Sequence, residues 1–200
     1  MAAPIDFYFD FTSPYGYLAT TRIDALAAKH GREVRWRPML LGVALKATGQ
    51  PPLPQIPLKG DYSRRDFERS ARYHGIPYRT PTAFPVAMQA PTRAFYWLHD
   101  RDAEDAKALA KRLLQAYFVE DVNISNPSDT LAIAGGLGHD AQALQAALED
   151  PAHKERVKQE AEAAVKRGVF GAPFVFVDDE PFWGMDRFDQ IDRWLAPGGF

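Results

Sequence analysis

The first forty residues carry a hydrophobic pattern that changes its period twice. Residues 5–11 are aromatic or apolar at most positions, which is typical of a short strand buried on both faces. Residues 14–30 place apolar side chains at helical spacing, so they predict a helix that ends at Gly31. Residues 33–38 alternate apolar and charged side chains, which predicts a second strand. The pattern therefore predicts a βαβ unit with parallel strands and a right-handed crossover.

The middle of the chain has a helical pattern. Residues 40–47 and 61–73 predict helices, and residues 50–57, which contain four prolines, predict an extended connection between them. Residues 80–91 predict a second proline-punctuated loop. Apolar side chains keep the i, i+3, i+4, i+7 rhythm over residues 106–118, which predicts the clearest helix of the chain. Further helix starts are predicted at Asn126-Pro127, Asp140 and Asp150-Pro151, with the last of these helices running to Arg167.

Strand signals return only near the end of the chain. Residues 174–177, Phe-Val-Phe-Val, predict a buried strand, and a turn at residues 178–180 leads to a short strand at residues 181–183. The proline in this last strand places it at the edge of a sheet. Residues 186–195 predict a closing helix, for which Asp186 is a suitable N-cap.

The chain is large enough for one well-packed core. It has 200 residues, of which 46% are hydrophobic and 12% aromatic. The strand signals lie in residues 1–39 and 168–200, so these two segments predict one α/β domain. Residues 40–167 predict an all-helical insertion, and we expect the domain and the insertion to form a single compact unit.

Composition excludes several kinds of chemistry. The chain has no cysteine, so it has no disulfide, thiolate metal site or cysteine nucleophile, and any thiol must come from a bound small molecule. Its five histidines are far apart in sequence, which predicts surface histidines and no metal site. A net charge of −2 gives no electrostatic reason to bind nucleic acid. Because no long apolar segment or basic leader is present, we expect no membrane contact and a cytoplasmic location.

The turn between the first strand and the first helix is the strongest local candidate for a functional site. Ser13 is a good N-cap, and Pro14 suits the first helical position because its missing N–H is not needed there. Ser13 therefore lies where the free N–H groups and the positive dipole end of a helix converge, which favours an anion. On these residues alone, a simple helix cap and an anion site both remain open.

The order of the predicted elements resembles the thioredoxin fold, βαβ…ββα, with a large all-helical insertion. In that fold the first strand-to-helix turn holds Cys-x-x-Cys, and here it reads Thr12-Ser13-Pro14-Tyr15. The loop at residues 168–173 resembles the loop that places a cis-proline opposite this turn, so the resemblance implies a cis bond before Pro173. Because both cysteines are missing, a dithiol oxidoreductase is excluded.

Three segments resemble the 2-hydroxychromene-2-carboxylate isomerase family: FYFDFTSPYGYLA at residues 7–19, LLGVALKATGQPP at residues 40–52 and GVFGAPFVFVDDEPFWGMDRFD at residues 168–189. This family acts with glutathione in the degradation of naphthalene-type aromatics, and it is similar to the kappa-class glutathione transferases. The resemblance implies glutathione as the cofactor, a small aromatic molecule as the substrate and a homodimer as the assembly.

The resemblance assigns a glutathione site residue by residue. Ser13 matches the family's catalytic serine, which is placed to hydrogen-bond the glutathione sulfur. A hydroxyl donor at a helix N-terminus also favours thiolate over thiol on physical grounds. Ala172 and Pro173 match the loop whose backbone pairs with the cysteinyl part of glutathione. Asp186 and Arg187 match the segment that holds the γ-glutamyl end.

The remaining matches concern the substrate. Lys46 matches a lysine that reaches the active site and supplies charge for the substrate carboxylate or an oxyanion; without the resemblance it is a solvated surface lysine. Tyr15, Phe84 and Trp183 are expected to form apolar walls for a planar aromatic substrate. Ala87 stands where the family has an asparagine, and this difference affects the identity of the substrate more than the binding of glutathione.

The sequence thus predicts a glutathione-dependent isomerase. As the resemblance implies, the thiolate held by Ser13 adds to 2-hydroxychromene-2-carboxylate or a related aromatic acid and leaves after rotation about the double bond, which gives trans-o-hydroxybenzylidenepyruvate. Two alternatives remain open. A kappa-like transferase would conjugate glutathione to electrophiles at the same site, and a non-catalytic thioredoxin-fold module would only bind.

Overall fold

A sheet of four strands lies at the centre of the protein, in a computed structural model that describes residues 3–197 and residue 200. The strands are β1 (Ile5–Phe9), β2 (Val34–Pro38), β3 (Phe174–Val177) and β4 (Glu180–Trp183), in the order β2-β1-β3-β4. Residues 1–2 and 198–199, at the ends of the two segments predicted to form the α/β domain, lie outside the described residues. The sheet brings the two ends of the chain together.

The strand pairing confirms the predicted fold class. β1 and β2 run parallel, with Phe7 beside Trp36, as expected for a βαβ unit. β3 runs antiparallel to β1 and to β4, so Val175 lies between Phe7 and Phe182. β4 is an edge strand, and Phe182 is its one buried residue. This is the thioredoxin-like arrangement that the resemblance implies.

Helices fill the rest of the described chain. They are α1 (Pro14–Thr20), α2 (Ile23–Lys29), α3 (Leu41–Thr48), α4 (Lys59–His74), α5 (Gln89–His99), α6 (Ala103–Phe118), α7 (Pro127–Gly136), α8 (Ala141–Glu149), α9 (Pro151–Lys166) and α10 (Phe188–Leu195), with 3-10 turns at Leu53–Gln55 and Met185–Arg187. Asp140 and Asp150 cap α8 and α9 by accepting backbone N–H groups, as predicted. Over the described ranges, no helix is both long enough and apolar enough to cross a membrane.

The first predicted helix is in fact two helices. The hydroxyl of Thr20 donates to the carbonyl of Tyr17 at 2.6 Å, and the hydroxyl of Thr21 donates to the carbonyl of Leu18 at 2.8 Å. Such local bonds from hydroxyl side chains compete with the helical backbone pattern and interrupt it. α1 therefore ends at Thr20, and α2 begins three residues later.

Two helix starts also differ from the predictions. α5 begins at Gln89, inside the predicted loop. Pro91 is compatible with this start because it lies in the first turn, where a backbone N–H has no helical partner. Asp186 is not an N-cap: it lies within the 3-10 turn Met185–Arg187, and α10 starts after it. Asn126 precedes α7 as predicted, but its side chain donates to Asp129 instead of accepting a backbone N–H.

The sheet is buried on both faces, as the apolar run of β1 predicts. On one face Phe9 packs against Phe7, Trp36 and Phe95, with ring centroids 5.4, 5.3 and 6.4 Å away, and α5 and α6 extend this cluster. On the other face a smaller cluster joins the sheet to α3 and α9; its buried members are Tyr8, Met39, Ala44, Ala164, Val169, Phe174 and Phe176. The helical insertion therefore completes the core of the α/β domain.

Leu113 on α6 provides a test of this shared core. Its side chain is fully buried, so we expect Leu113→Ala to lower the free energy of unfolding by about 2–5 kcal/mol. Leu137→Ala is the matched control, because Leu137 is 43% exposed and leaves no cavity when it is shortened. Unfolding in urea measures both changes, and equal losses in the two variants would contradict the assignment of α6 to the core.

Candidate active site

Ser13 lies at the N-terminus of α1 with both of its hydrogen-bonding functions in use. Its Oγ accepts the backbone N–H of Gly16 at 3.0 Å, which is the predicted N-cap bond. The same hydroxyl donates to the carbonyl of Ala172 at 3.0 Å. The residue is only 5% exposed, so these two bonds satisfy a buried hydroxyl in the free protein. A simple helix cap would not need the second bond.

The loop before β3 lies directly opposite this turn. The peptide bond between Ala172 and Pro173 is cis, as the resemblance implies. The carbonyl of Pro173 accepts the N–H of Gly184 at 3.0 Å, which ties the loop to the segment after β4. Ser13 and these two segments thus come together, although they are about 160 residues apart in sequence.

A cavity of about 1140 Å³ opens beside Ser13. Its walls come from the start of α1, from α3, from the proline-rich connection at residues 50–56, from α4, from residues 84–89, from the loop before β3 and from the segment at the end of β4. The predicted site residues in these walls are Ser13, Tyr15, Phe84, Ala172, Pro173, Trp183, Asp186 and Arg187. The volume exceeds that of an ordinary drug-sized site, so the cavity has room for more than one small molecule.

Tyr15 is held by a contact that its sequence position did not predict. Its hydroxyl donates to Asp66 at 2.5 Å, and its ring lies edge-on to Phe67 with centroids 4.9 Å apart. Asp66 is in turn paired with Arg69 on the same helix. Burial, and then the carboxylate of Asp66, raises the pKa of Tyr15 far above its usual value, so the phenol stays protonated. Tyr15 is therefore a fixed wall of the cavity and not an acid at neutral pH.

Two aromatic side chains form walls at different depths. Phe84 is half-buried and lies 6.3 Å from Phe67. Trp183 is 56% exposed and packs edge-on against Phe170 at 4.9 Å. The indole of Trp183 lies so close to Gly171 that a Cβ at position 171 would overlap the indole. Trp183 thus covers the loop that carries the cis-proline.

Four polar residues of α4 line the cavity together with Phe67, and sequence reasoning missed them. They are Lys59, Asp66, Ser70 and His74. Their spacing of seven, four and four residues is that of one helix face, so the periodic signal was present in the sequence. The local pattern predicts only a helix here, because it does not reveal a cavity beside the polar face. Lys59 and Asp66 add one charge of each sign to the pair formed by Asp186 and Arg187.

His74, the last residue of α4, also lines the cavity. It was predicted to be a surface histidine, but it is half-buried and its Nδ1 lies 3.3 Å from a guanidinium nitrogen of Arg22. Burial, and then the charge of Arg22, lowers its pKa below the usual 6.5. His74 is therefore largely neutral at pH 7. In the part of the chain that the structure describes, no group of three or more metal-binding side chains is present.

Two further positions that the resemblance singles out, Lys46 and Ala87, differ in their relation to the cavity. Lys46 is exposed on α3 and is not among the side chains that line the cavity, whereas Lys59 is. The position of Lys46 thus fits a solvated surface lysine. Ala87 does line the cavity, so the asparagine of the family is replaced there by a methyl group. Residues 84–88 therefore present apolar side chains to the cavity.

Comparison with known proteins gives consistent results. The DSBA-like thioredoxin domain model matches residues 4–196. The chain is 32% identical to a 2-hydroxychromene-2-carboxylate isomerase of Sphingobium xenophagum over 98% of this chain and 99% of that protein. It is 26% identical to human glutathione S-transferase kappa 1 over 96% and 93% of the two chains. A solved structure of a 2-hydroxychromene-2-carboxylate isomerase superposes with a TM-score of 0.84 and 31% identity, covering 94% and 92% of the two chains.

Gly171 and Gly42 offer a matched test of the cavity wall. A Cβ at Gly171 would overlap the indole of Trp183, so we expect Gly171→Ala to lower the free energy of unfolding by about 1–3 kcal/mol. Gly42 also lines the cavity, but a Cβ there meets open space within α3, so Gly42→Ala should raise stability by about 0.5–1 kcal/mol. Urea unfolding of both variants decides, and changes of the same sign would refute the close approach at Gly171.

Proposed function

The chain belongs to the DSBA-like thioredoxin domain family and, within it, to the 2-hydroxychromene-2-carboxylate isomerases, and from this we propose that it is a glutathione-dependent isomerase. The proposed reaction converts 2-hydroxychromene-2-carboxylate, or a related aromatic acid, to trans-o-hydroxybenzylidenepyruvate. The observation that carries the proposal is the buried hydroxyl of Ser13, which faces Ala172 and the cis-proline at the edge of a large cavity.

The donor set of the cavity suits glutathione, which is a tripeptide with two carboxylates, one ammonium group and a thiol. Arg187 can pair with a carboxylate of glutathione, and Asp66 and Asp186 can pair with its ammonium group. Ser13 lies in the same cavity at a helix N-terminus. Both signs of charge are therefore available in the cavity that contains this hydroxyl. Asp186 and Arg187 keep the role that the resemblance implies, at the γ-glutamyl end.

Ser13 is the proposed catalytic residue. When bound, glutathione supplies a thiolate nucleophile that is regenerated at the end of the reaction. The hydroxyl of Ser13 can turn from the carbonyl of Ala172 to donate to the sulfur. The N-terminus of α1 adds about 0.3–1 kcal/mol in favour of an anion at this place. Both effects lower the pKa of a thiol there and increase the fraction of thiolate.

Ala172 and Pro173 are proposed to hold the peptide part of glutathione. The loop is fixed from both sides, by Ser13 on the carbonyl of Ala172 and by Gly184 on the carbonyl of Pro173. An extended peptide can lie along such a fixed edge and pair with its backbone. The loop thus places the sulfur near α1 without a covalent bond to the chain.

The aromatic substrate is proposed to lie between Tyr15, Phe84 and Trp183. These rings line the same cavity as Ser13, and planar faces of this kind favour a planar ligand. Lys59 is the lysine that lines the cavity, so it can supply the positive charge for the substrate carboxylate that the resemblance assigned to Lys46. The methyl group of Ala87 cannot hydrogen-bond a substrate oxygen, which favours substrates that have an apolar edge at this position.

A kappa-like transferase is the second candidate, and the 26% identity to the human kappa enzyme favours it. The two activities differ in their products. An isomerase returns all of the glutathione, whereas a transferase consumes one glutathione for each product molecule. Incubation of the protein with glutathione and 2-hydroxychromene-2-carboxylate, followed by mass spectrometry, separates the two. A stable conjugate as the main product would favour the transferase over the proposed isomerase.

Ser13→Ala tests the proposed site. We expect glutathione to bind the wild-type protein with release of a proton near pH 7. In the variant a smaller fraction of a proton should be released for each glutathione bound, because the hydroxyl donor to the thiolate is lost. We also expect kcat/KM to fall about 100-fold, the usual cost of removing one preorganised donor. Calorimetry in two buffers of different ionisation enthalpy counts the protons.

Ser128→Ala is the control for this experiment, because Ser128 is exposed near the start of α7 and outside the cavity. It should behave like the wild-type protein. If Ser13→Ala keeps full activity and full proton release, Ser13 is not the catalytic residue. If neither protein binds glutathione, the non-catalytic module becomes the better description.

Lys59 and Lys46 form a second matched pair. We expect Lys59→Met to lower kcat/KM about tenfold, because one charge-assisted hydrogen bond to a bound carboxylate is lost. Lys46→Met should stay within about twofold of the wild-type protein, since Lys46 is exposed outside the cavity. Steady-state kinetics of the two variants decides. A larger effect at Lys46 than at Lys59 would return the role to Lys46.

A further inference from the structure

Asp10 is a buried carboxylate that none of the proposed steps uses. It follows β1, lines the cavity and is 3% exposed. One of its oxygens accepts the N–H of Thr12 at 2.8 Å, and the other accepts the N–H of Leu41 at 2.5 Å. Its backbone carbonyl accepts the N–H of Ser13 at 3.0 Å. Asp10 is therefore bonded to the turn of Ser13 through both its side chain and its backbone.

The bond to Leu41 joins two helix N-termini. Leu41 is the first residue of α3, and Leu40 before it provides no side-chain cap. The carboxylate of Asp10 thus caps α3 from a position 31 residues earlier in the chain. Ser13, three residues after Asp10, caps α1. The positive ends of both helices therefore meet beside the cavity, and the charge of Asp10 lies between them.

This bond also joins separate walls of the cavity. Leu41 and Val43 on α3 line one wall. Thr12, which Asp10 holds, accepts the N–H of Val86 at 3.4 Å and so reaches the wall formed by residues 84–89. A shift of Asp10 would therefore move the Ser13 turn relative to two walls of the site at once.

We propose that Asp10 is a positioning residue whose ionised carboxylate fixes the Ser13 turn against the N-terminus of α3, and whose protonation releases this connection and sets the acidic limit of the activity. The proposal deepens the proposed function and rests on it for the reaction concerned. The connection itself belongs to the free protein.

Only the ionised form can make both side-chain bonds. A carboxylate accepts on both oxygens, whereas a protonated carboxyl has an O–H that meets an N–H donor, so one of the two bonds must be lost. Burial raises the pKa of Asp10 to about 6, and the N–H groups of Thr12 and Leu41 limit that rise. The connection is therefore intact at neutral pH and weakens just below it.

The sign of the linkage supports a role in the site. The pKa of Asp10 is raised above its value of 3.8 in the unfolded chain, so its contribution to stability is greatest below pH 4 and is lost as the pH rises to about 6. Ionised Asp10 thus lowers the stability of the folded protein at neutral pH. A residue needed only for folding would not carry this cost, and such local conflicts are typical of functional sites.

The other titratable groups around the cavity can be separated from Asp10. Tyr117 on α6 feels the charge of Asp10, but burial raises its pKa above the range of the experiment. Tyr15 on α1 is likewise protonated throughout. Burial, and then the charge of Arg22, lowers the pKa of His74 on α4 below 6.5, so a His74 variant is needed to separate its effect from that of Asp10. The remaining charged groups in the cavity walls are Lys59, Asp66, Asp186 and Arg187.

The first measurement uses the free protein without glutathione or substrate. The amide signals of Thr12 and Leu41 are followed by ¹⁵N NMR between pH 4.5 and 8. We expect both signals to titrate together with a midpoint near 6 in the wild-type protein, and to be flat in Asp10→Asn. Asp140→Asn is the matched control, because Asp140 also accepts two backbone N–H groups but is exposed at the N-cap of α8. In this variant the signals of Thr12 and Leu41 should titrate as they do in the wild-type protein.

The second measurement is the pH profile of kcat/KM. We expect the wild-type protein to lose activity about tenfold per pH unit below pH 6, as one essential ionisation requires. Asp10→Asn should lose the contribution of Asp10 to this limb, keep the part that comes from ionisation of the glutathione thiol, and have a plateau about tenfold lower, because one buried hydrogen bond is missing at every pH. His74→Gln should retain the limb. A limb that disappears in His74→Gln and persists in Asp10→Asn would overturn the proposal.

Leu41→Pro keeps the proposal testable if Asp10→Asn does not fold. Proline is well suited to the first position of α3 and lacks the N–H that Asp10 accepts. Loss of this donor should raise the midpoint of the Thr12 titration and of the acidic limb by about one pH unit. An unchanged midpoint would overturn the proposal.

The two measurements distinguish the inference from the proposed function. If the amide signals titrate but no glutathione-dependent activity is found, the proposed function fails and the connection through Asp10 is supported. If the activity is present but its acidic limb is the same in Asp10→Asn, the role of Asp10 is refuted and the proposed function stands.

Discussion

One buried hydroxyl joins the two ends of the chain at the candidate site. Ser13 accepts the N–H of Gly16 and donates to the carbonyl of Ala172, so its side chain is held from two sides. A buried hydroxyl without partners costs about 1–3 kcal/mol, so the folded protein favours this single arrangement. The same bond brings the helix N-terminus of α1 against the cis-proline loop. Two walls of the cavity, the start of α1 and the loop before β3, therefore meet at this contact.

In the proposed reaction the chain supplies the binding cavity, whereas glutathione supplies the nucleophile. It has no cysteine, and its cavity instead combines a hydroxyl, a helix N-terminus and charges of both signs. The helical insertion has two roles here, because α5 and α6 complete the core on one face of the sheet while α3 and α4 form walls of the cavity. Stability and the shape of the site therefore depend on the same insertion, and Lys59 and Asp66 reach the cavity only because α4 packs across it.

Two carboxylates in the cavity walls, Asp66 and Asp10, affect the site differently because their burial and hydrogen bonds differ. Burial, and then the carboxylate of Asp66, raises the pKa of Tyr15, so this phenol is protonated at neutral pH and donates to Asp66. Asp10 is buried between two helix N-termini, where its charge is costly yet needed to satisfy two N–H groups. One carboxylate thus fixes a wall of the cavity, whereas the other makes the geometry of the Ser13 turn depend on pH close to neutrality.

The sequence alone determined the parts that depend on local interactions. The order of strands and helices along the chain, the caps at Asp140 and Asp150 and the Ser13 turn follow from hydrophobic period and from bonds between residues a few positions apart. Only the tertiary structure decided which of two similar lysines faces the cavity: Lys59 does and Lys46 does not. A polar residue on a helix has the same local pattern whether it faces water or a polar cavity. Packing between distant segments makes that choice.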